Sequence, residues 1–129
     1  MRFFPILLLS LTTVVALAQQ VPQYVNAKQA QALLKKSPEI IVLDVRTPTE
    51  YKQGHVANAQ NIDFRNPAFA QQVATLDKKK TYLVHCALGV DGGRSRRSLR
   101  VFDSLGIKNI VHLDGGMDAW QKASLPVVK

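Results

Sequence analysis

The chain carries one cysteine, Cys86, and eight positions later an arginine, Arg94. Between them lie Ala87, Leu88, Gly89, Val90, Asp91, Gly92 and Gly93, and Ser95 follows. A thiol attacks as its thiolate, and a thiolate is favoured by nearby N–H donors and positive charge. Glycines permit positive φ, so a loop built on them can turn its backbone N–H groups toward one point and form an anion nest. A helix beginning near Arg94 would add free N–H groups and the positive end of its dipole. Arg94 and Ser95 would offer further donors to an anionic substrate or to a negatively charged sulfur adduct. One cysteine has no internal disulfide partner, so Cys86 is either buried and inert or kept free for chemistry. The glycines and arginine after it favour the second reading. The loop itself would stabilise the thiolate, so the design requires no histidine base.

The elements that must position this loop are legible as hydrophobic runs. Ile40 to Val45 and Thr81 to Cys86 are continuous apolar stretches rich in β-branched residues, as is Asn109 to Leu113, and such runs suit strands buried on both faces of a parallel sheet. Tyr24-Val25 reads as a brief first strand. Between the strands, Asn26 with Gln29 predicts a capped helix start, and Thr47 with Pro48 and Glu50 predicts another, stopped by Gly54. Asn66-Pro67 is expected to open a third helix, with Phe69, Val73 and Leu76 on one face. Arg94 to Leu105 predicts a fourth, with Leu99, Val101, Phe102 and Leu105 inward and Gly106 closing it. "DGGMDAW" turns into a last short helix. Alternating strands and helices define an α/β fold with helices on both faces of a parallel sheet. In such sheets ligands sit outside the carboxyl ends of the strands, which is where Cys86 falls.

The N-terminus reads differently. Arg2 is followed by an apolar run from Phe3 to Leu17 that ends in Ala16-Leu17-Ala18, the pattern of a secretory signal peptide cleaved after residue 18. The run is short and interrupted by Pro5, Ser10, Thr12 and Thr13, so a membrane anchor is the weaker reading and no stable span is expected after cleavage. Residues 19–23 form a short leader, and 24–129 one domain. The exported, periplasmic setting that such a signal implies would be oxidising, which makes a lone free thiol notable. The net charge of +8 suits anionic ligands or an acidic protein partner. Nucleic acid is not expected, because the basic residues are not interleaved with aromatics.

Other polar residues have structural readings. Arg46 is expected to bridge Asp44 and Glu50 and hold the turn after its strand. His55 is expected to be a scaffold hydrogen-bonder. His85 should point away from the Cys86 face. His112 has no partner at metal-ligand spacing, and no metal site is predicted. Arg96, Arg97 and Arg100 are read as the solvated side of their helix.

"VLDVRTPTEYKQGHVANAQNI", with Asp44, Arg46, Glu50, Gly54, His55 and Ala59, resembles the signature of rhodanese-like domains. "VHC…GGRS" resembles that family's active-site strand and loop, and "LDGGMDAW", ending at Trp120, its closing motif. The resemblance spans about Val25 to Leu125. It implies a five-stranded parallel sheet flanked by helices, and sulfur transfer through a persulfide on Cys86. A donor such as thiosulfate would give up its outer sulfur, and a thiol or cyanide would accept it, with no metal or organic cofactor. Residues 87–95 would form the substrate-binding loop.

Sulfurtransferase members of that family usually have four residues between the cysteine and the loop arginine, and its phosphatase and arsenate-reductase branch has five. This chain has seven. The longer loop either widens the cradle or folds its tip outward, and Asp91 would repel an anion if it pointed inward. Ala87 stands where many thiosulfate-using members carry a basic residue. Two alternatives to a sulfurtransferase therefore stand beside it: a catalytically weak binding or sulfur-delivery module, and, less favoured by the loop length, a phosphatase or arsenate reductase.

Overall fold

Two helix starts rest on reciprocal local hydrogen bonds. At the first, the Gln29 N–H donates to Asn26 Oδ1 and the Asn26 N–H to Gln29 Oε1, opening α1 (Ala27–Lys36). At the second, Thr47 and Glu50 exchange the same pair of bonds and Pro48 occupies the first turn of α2 (Pro48–Gln53). Both boxes satisfy N–H groups that a helix start leaves without partners. The chain as described by a computed structural model runs from residue 22 to residue 129. The expected signal sequence, 1–18, and most of the leader lie outside the described residues.

The apolar runs become β2 (Ile41–Asp44), β4 (Tyr82–His85) and β5 (Ile110–Leu113), and β1 spans Gln23–Val25. A fifth strand, β3 (Gln60–Asn61), carries no apolar run and has no signal in the sequence pattern. The remaining helices are α3 (Phe69–Ala74), α4 (Arg94–Ser104) and α5 (Gly116–Lys122). All strand pairs are parallel, in the order β1-β5-β4-β2-β3. The chain leaves β2 toward one edge and β4 toward the other, so a crevice opens at their carboxyl ends.

Alternation along the strands divides the core into two layers. Val42, Leu83, Val111 and Leu113 pack with Ala27 and Ala30 of α1 and Met117 and Trp120 of α5. Leu43, Tyr82, Val84 and Ile110 pack with Phe69 and Val73 of α3 and Phe102 of α4. The sheet is thus covered on both faces, as expected.

One boundary and one helix face differ from expectation. Asn66-Pro67 does not begin α3. Asn66 Oδ1 accepts from the Ala68 N–H and its carbonyl accepts from the Phe69 N–H, making a turn that delays the helix to Phe69. The inner face of α4 also includes two serines, Ser95 and Ser98, fully buried beside Phe102, while Leu99, Val101 and Leu105 are only partly covered. Gly106 follows α4 at φ +78°.

Candidate active site

Cys86 is the first residue beyond β4 and is buried on the α4 side of the sheet. The loop after it answers the question its length raised. The Gly93 N–H donates to the Val90 carbonyl at 2.9 Å, closing a four-residue turn in which Gly92 takes φ +75°. That turn carries Asp91 outward, with its side chain 97% exposed and 3.5 Å from Arg96. The extra length is folded into a tip, and Asp91 does not face the thiol. Gly89, at φ +58°, lies against the next loop so closely that a Cβ would stand 2.7 Å from the Leu113 carbonyl oxygen.

The cradle at the base of the loop is built from hydrogen-bond donors. The Gly89 N–H points at Cys86 Sγ at 3.4 Å and Ser95 Oγ lies 3.1 Å from it. Burial pushes the thiol up, but the Ser95 hydroxyl and the backbone N–H groups of Ser95, Gly89 and Leu88 outweigh it, and the thiol ionises below its ordinary range. The opposite wall is the turn into α5. The Met117 and Asp118 N–H groups donate to the carbonyls of Cys86 and Ala87, both at 2.9 Å. This requires Gly116, because a Cβ there would collide with the Cys86 carbonyl oxygen and stand 2.7 Å from that of Ala87.

Arg94 is placed at the loop junction but is not free. Its guanidinium makes a two-pronged pair with Glu50, Nη1 to Oε1 at 2.6 Å and Nη2 to Oε2 at 3.0 Å. Hydrogen bonding to Arg94 is the largest influence on Glu50 and holds its carboxyl at about 2, against the opposing effect of burial. The expected Arg46 bridge to two carboxylates is therefore half right. Arg46 grips Asp44 alone, through Nε and through Nη2 to Oδ2 at 2.7 Å, and Nη2 also donates to the Gly54 carbonyl. Glu50 turns instead to the active loop, 44 positions away. His55 holds the Tyr51 carbonyl through Nδ1 at 2.9 Å and stacks on the Tyr51 ring.

Sequence reasoning set His112 aside, and the structure places it within two hydrogen bonds of the thiol. Its Nε2 lies 2.8 Å from Ser95 Oγ, and its Nδ1 lies 2.8 Å from Asp114 Oδ1. Val84 pairs with His112 in the sheet, so Cys86, two residues past Val84, emerges on the same face. That signal was present in the alternation of the two strands, but using it required knowing that they are neighbours. His85 points to the other face, as expected, where it is fully buried with Nδ1 3.1 Å from the Cys86 carbonyl and Nε2 3.8 Å from Asp44. Arg96 is not simply solvated. It donates to Asp114 at 2.9 Å and lies 4.2 Å over the Tyr24 ring. Arg97 likewise lies over Phe64. Among the described residues no cluster of three or more histidine, cysteine, aspartate or glutamate side chains could hold a metal ion. Among the same residues no helix is long and apolar enough to cross a membrane.

A buried cysteine in an N–H-lined loop at the carboxyl edge of a parallel α/β sheet defines a class that comparison with known proteins makes specific. Residues 26–123 match the rhodanese-like domain, and the chain belongs to that family. It is 32% identical over 117 residues to thiosulfate sulfurtransferase 16, chloroplastic, of Arabidopsis thaliana, covering 83% of this chain and 93% of that protein. An uncharacterized protein of Synechocystis is 33% identical over 98 residues, covering 74% of this chain but only 51% of the relative, so the chain spans about half of that protein. Among solved structures, a rhodanese-related protein from Thermoplasma volcanium is 33% identical with a TM-score of 0.71, covering 82% of this chain and 97% of its own.

Proposed function

We propose that the protein is a sulfurtransferase that carries a sulfane sulfur as a persulfide on Cys86. The observation that carries this reading is the thiol's surroundings: a buried sulfur ringed by the Ser95 hydroxyl and loop N–H groups, which favour the thiolate over the thiol. The thiolate attacks the outer sulfur of a small anionic donor such as thiosulfate. A new S–S bond forms, the donor's S–S bond breaks, and sulfite leaves with the electron pair. A thiol or cyanide then attacks the outer persulfide sulfur, and Cys86 leaves as a thiolate. The same N–H groups that stabilise the thiolate stabilise the persulfide anion. With Arg94 held by Glu50, contact with the donor falls to the loop N–H groups of Leu88 and Gly89 and to Ser95. The seven residues between Cys86 and Arg94 also depart from the five that the phosphatase and arsenate-reductase branch uses, which disfavours that reading.

Two displacement steps through one covalent intermediate give ping-pong kinetics. Thiocyanate formation from thiosulfate and cyanide should therefore yield parallel double-reciprocal lines, and Cys86→Ser should yield none. Intersecting lines, or turnover by Cys86→Ser, would sink the reading.

A second reading, sulfur delivery within a protein complex, has its own observation. Leu88 and Val90 are each 55% exposed on the loop that covers the thiol, and an apolar lip suits a protein acceptor. An acidic partner would also find Arg97 and Arg100 on the neighbouring helix. We further propose that the protein is exported, with residues 1–18 removed. Support comes from the short apolar run ending in Ala16-Leu17-Ala18, and the N-terminal sequence of the protein recovered from its host tests it.

A further inference from the structure

The chain of contacts from Cys86 through Ser95 and His112 to Asp114 permits only certain placements of its protons. A carboxylate has no proton to give, so at Asp114 the donor is His112 Nδ1–H. If His112 is neutral, its Nε2 is then an acceptor, and at 2.8 Å the Ser95 hydroxyl must donate to it. Ser95 Oγ is left to accept, and its partner at 3.1 Å is the Cys86 S–H. This arrangement is complete only for the thiol. When Cys86 is a thiolate, the Ser95 hydroxyl turns to donate to sulfur, and Ser95 Oγ would confront a bare Nε2 lone pair at 2.8 Å. The conflict disappears when Nε2 carries a proton. The alternative tautomer, with its only proton on Nε2, would instead set a bare Nδ1 against Asp114 Oδ1.

The geometry points to His112 as the holder of the Cys86 proton, received through the Ser95 hydroxyl, so that the nucleophile is a thiolate paired with an imidazolium. The S–H bond breaks with its electron pair left on sulfur. Ser95 takes that proton and passes its own to His112 Nε2, so no outside acid or base is consumed. Ser95 touches the reacting atom, whereas His112 acts through it as a positioning residue. The inference rests on Cys86 being the nucleophile proposed above.

The groups around the pair fit this role. Burial, with Arg96 and His85, holds the His112 ring below its ordinary range despite Asp114, so an imidazolium there requires the thiolate as its counter-charge. Arg96 opposes the ring's charge, but it donates to the same Asp114 oxygen and is partly neutralised by Asp114 and Asp91. Tyr24 covers His112 from β1 at a ring separation of 5.6 Å, and neutral His85 lies on β4. Around Cys86 the charged groups are Arg94 and the Glu50 that pairs with it.

The rate of Cys86 alkylation by iodoacetamide as a function of pH tests this. In wild type the rate should be carried by thiolate well below the ordinary thiol range. His112→Gln keeps a side chain able to orient Ser95 but unable to store a proton. Near pH 6 it should slow alkylation by about tenfold or more, the equivalent of one unit or more of thiol ionisation, and meet wild type at high pH. A purely orienting role predicts that His112→Gln follows the wild-type profile, and that result would overturn the proposal. A readout on the unmutated protein guards against misfolding of the variant: the ring-nitrogen NMR shifts of His112. They should report a doubly protonated ring where the ultraviolet absorbance of the thiolate is present, and a neutral ring after Cys86 is alkylated at the same pH. A ring that stays neutral while the thiolate is present would overturn it equally. Both readouts report proton location and not sulfur transfer, so either proposal can fail without the other.

Discussion

Two polar clusters sit at the carboxyl edge of the same sheet, on opposite faces, and they are built for different ends. On the α1 side, Asp44, Arg46 and His85 form a closed group. Arg46 binds Asp44 and the Gly54 carbonyl through Nε and Nη2, and Asp44 and His85 are fully buried. On the α4 side, Cys86, Ser95, His112 and Asp114 form an open chain. One end is a thiol under a loop and the other a carboxylate whose side chain is 41% exposed. A closed buried ion pair is costly to break but has nowhere to send a proton. An open chain of donors and acceptors that ends in a carboxylate can shift a proton along its length without leaving a charge unpaired.

Breaking the closed cluster should have the largest effect on stability and almost none on chemistry. Arg46→Ala strands a buried carboxylate and should cost about 3–5 kcal/mol in chemical denaturation. The folded fraction should keep the wild-type pH profile of Cys86 alkylation. A slowed thiol in that variant would mean that the two faces are coupled.

Gly116→Ala should strike both properties. The added Cβ meets the carbonyls that α5 uses to hold Cys86 and Ala87, at a backbone position with φ +56°. Strain and forced contact together should cost about 2–4 kcal/mol, and the displaced carbonyl should slow alkylation as well. Unchanged reactivity would remove α5 from the account of the cradle.

The Glu50–Arg94 pair tethers α2 to the active loop, and acid should release it. The Glu50 carboxyl lies at about 2 in the folded chain, below its unfolded value of 4.5. Its contribution is therefore fully present above pH 4.5 and is lost as pH falls toward 2. With Glu50 partly exposed, the contribution should amount to about 1 kcal/mol. The difference in denaturation midpoint between wild type and Glu50→Gln should shrink across that window, and a constant difference would contradict the tether.

Asp91→Asn should matter least. The side chain stands in solvent on the loop tip, where its charge is screened, so KM for thiosulfate should change by less than about twofold. A larger fall in KM would show the tip closing over the thiol in solution.

The contrast between the clusters also separates what was legible in the sequence from what was not. The helix starts at Asn26 and Thr47 were readable because both partners of each capping box lie three residues apart. The Cys86 loop was readable because strand, thiol, glycines and helix follow in order. Glu50 satisfied its local role so well that its second partner, Arg94, gave no local sign. His112 looked like a lone histidine in an apolar strand, because its partners come from α4 and from the turn beyond β5. Whether the long loop widened or folded outward depended on the Val90–Gly93 turn and on Gly89 packing against a distant loop. Contacts within about four residues leave a sequence pattern, whereas pairing across the sheet is seen only once strand order is known.

The central claim is that Cys86 carries sulfur despite the long loop. Its most direct test is the intact mass of the reduced protein after incubation with thiosulfate, beside Cys86→Ser. A persulfide adds one sulfur atom, about 32 Da, to a reactive thiolate. The account predicts that gain in the wild type, its removal by cyanide, and no gain in the variant. An unchanged wild-type mass with Cys86 still free, or an equal gain in Cys86→Ser, would contradict it.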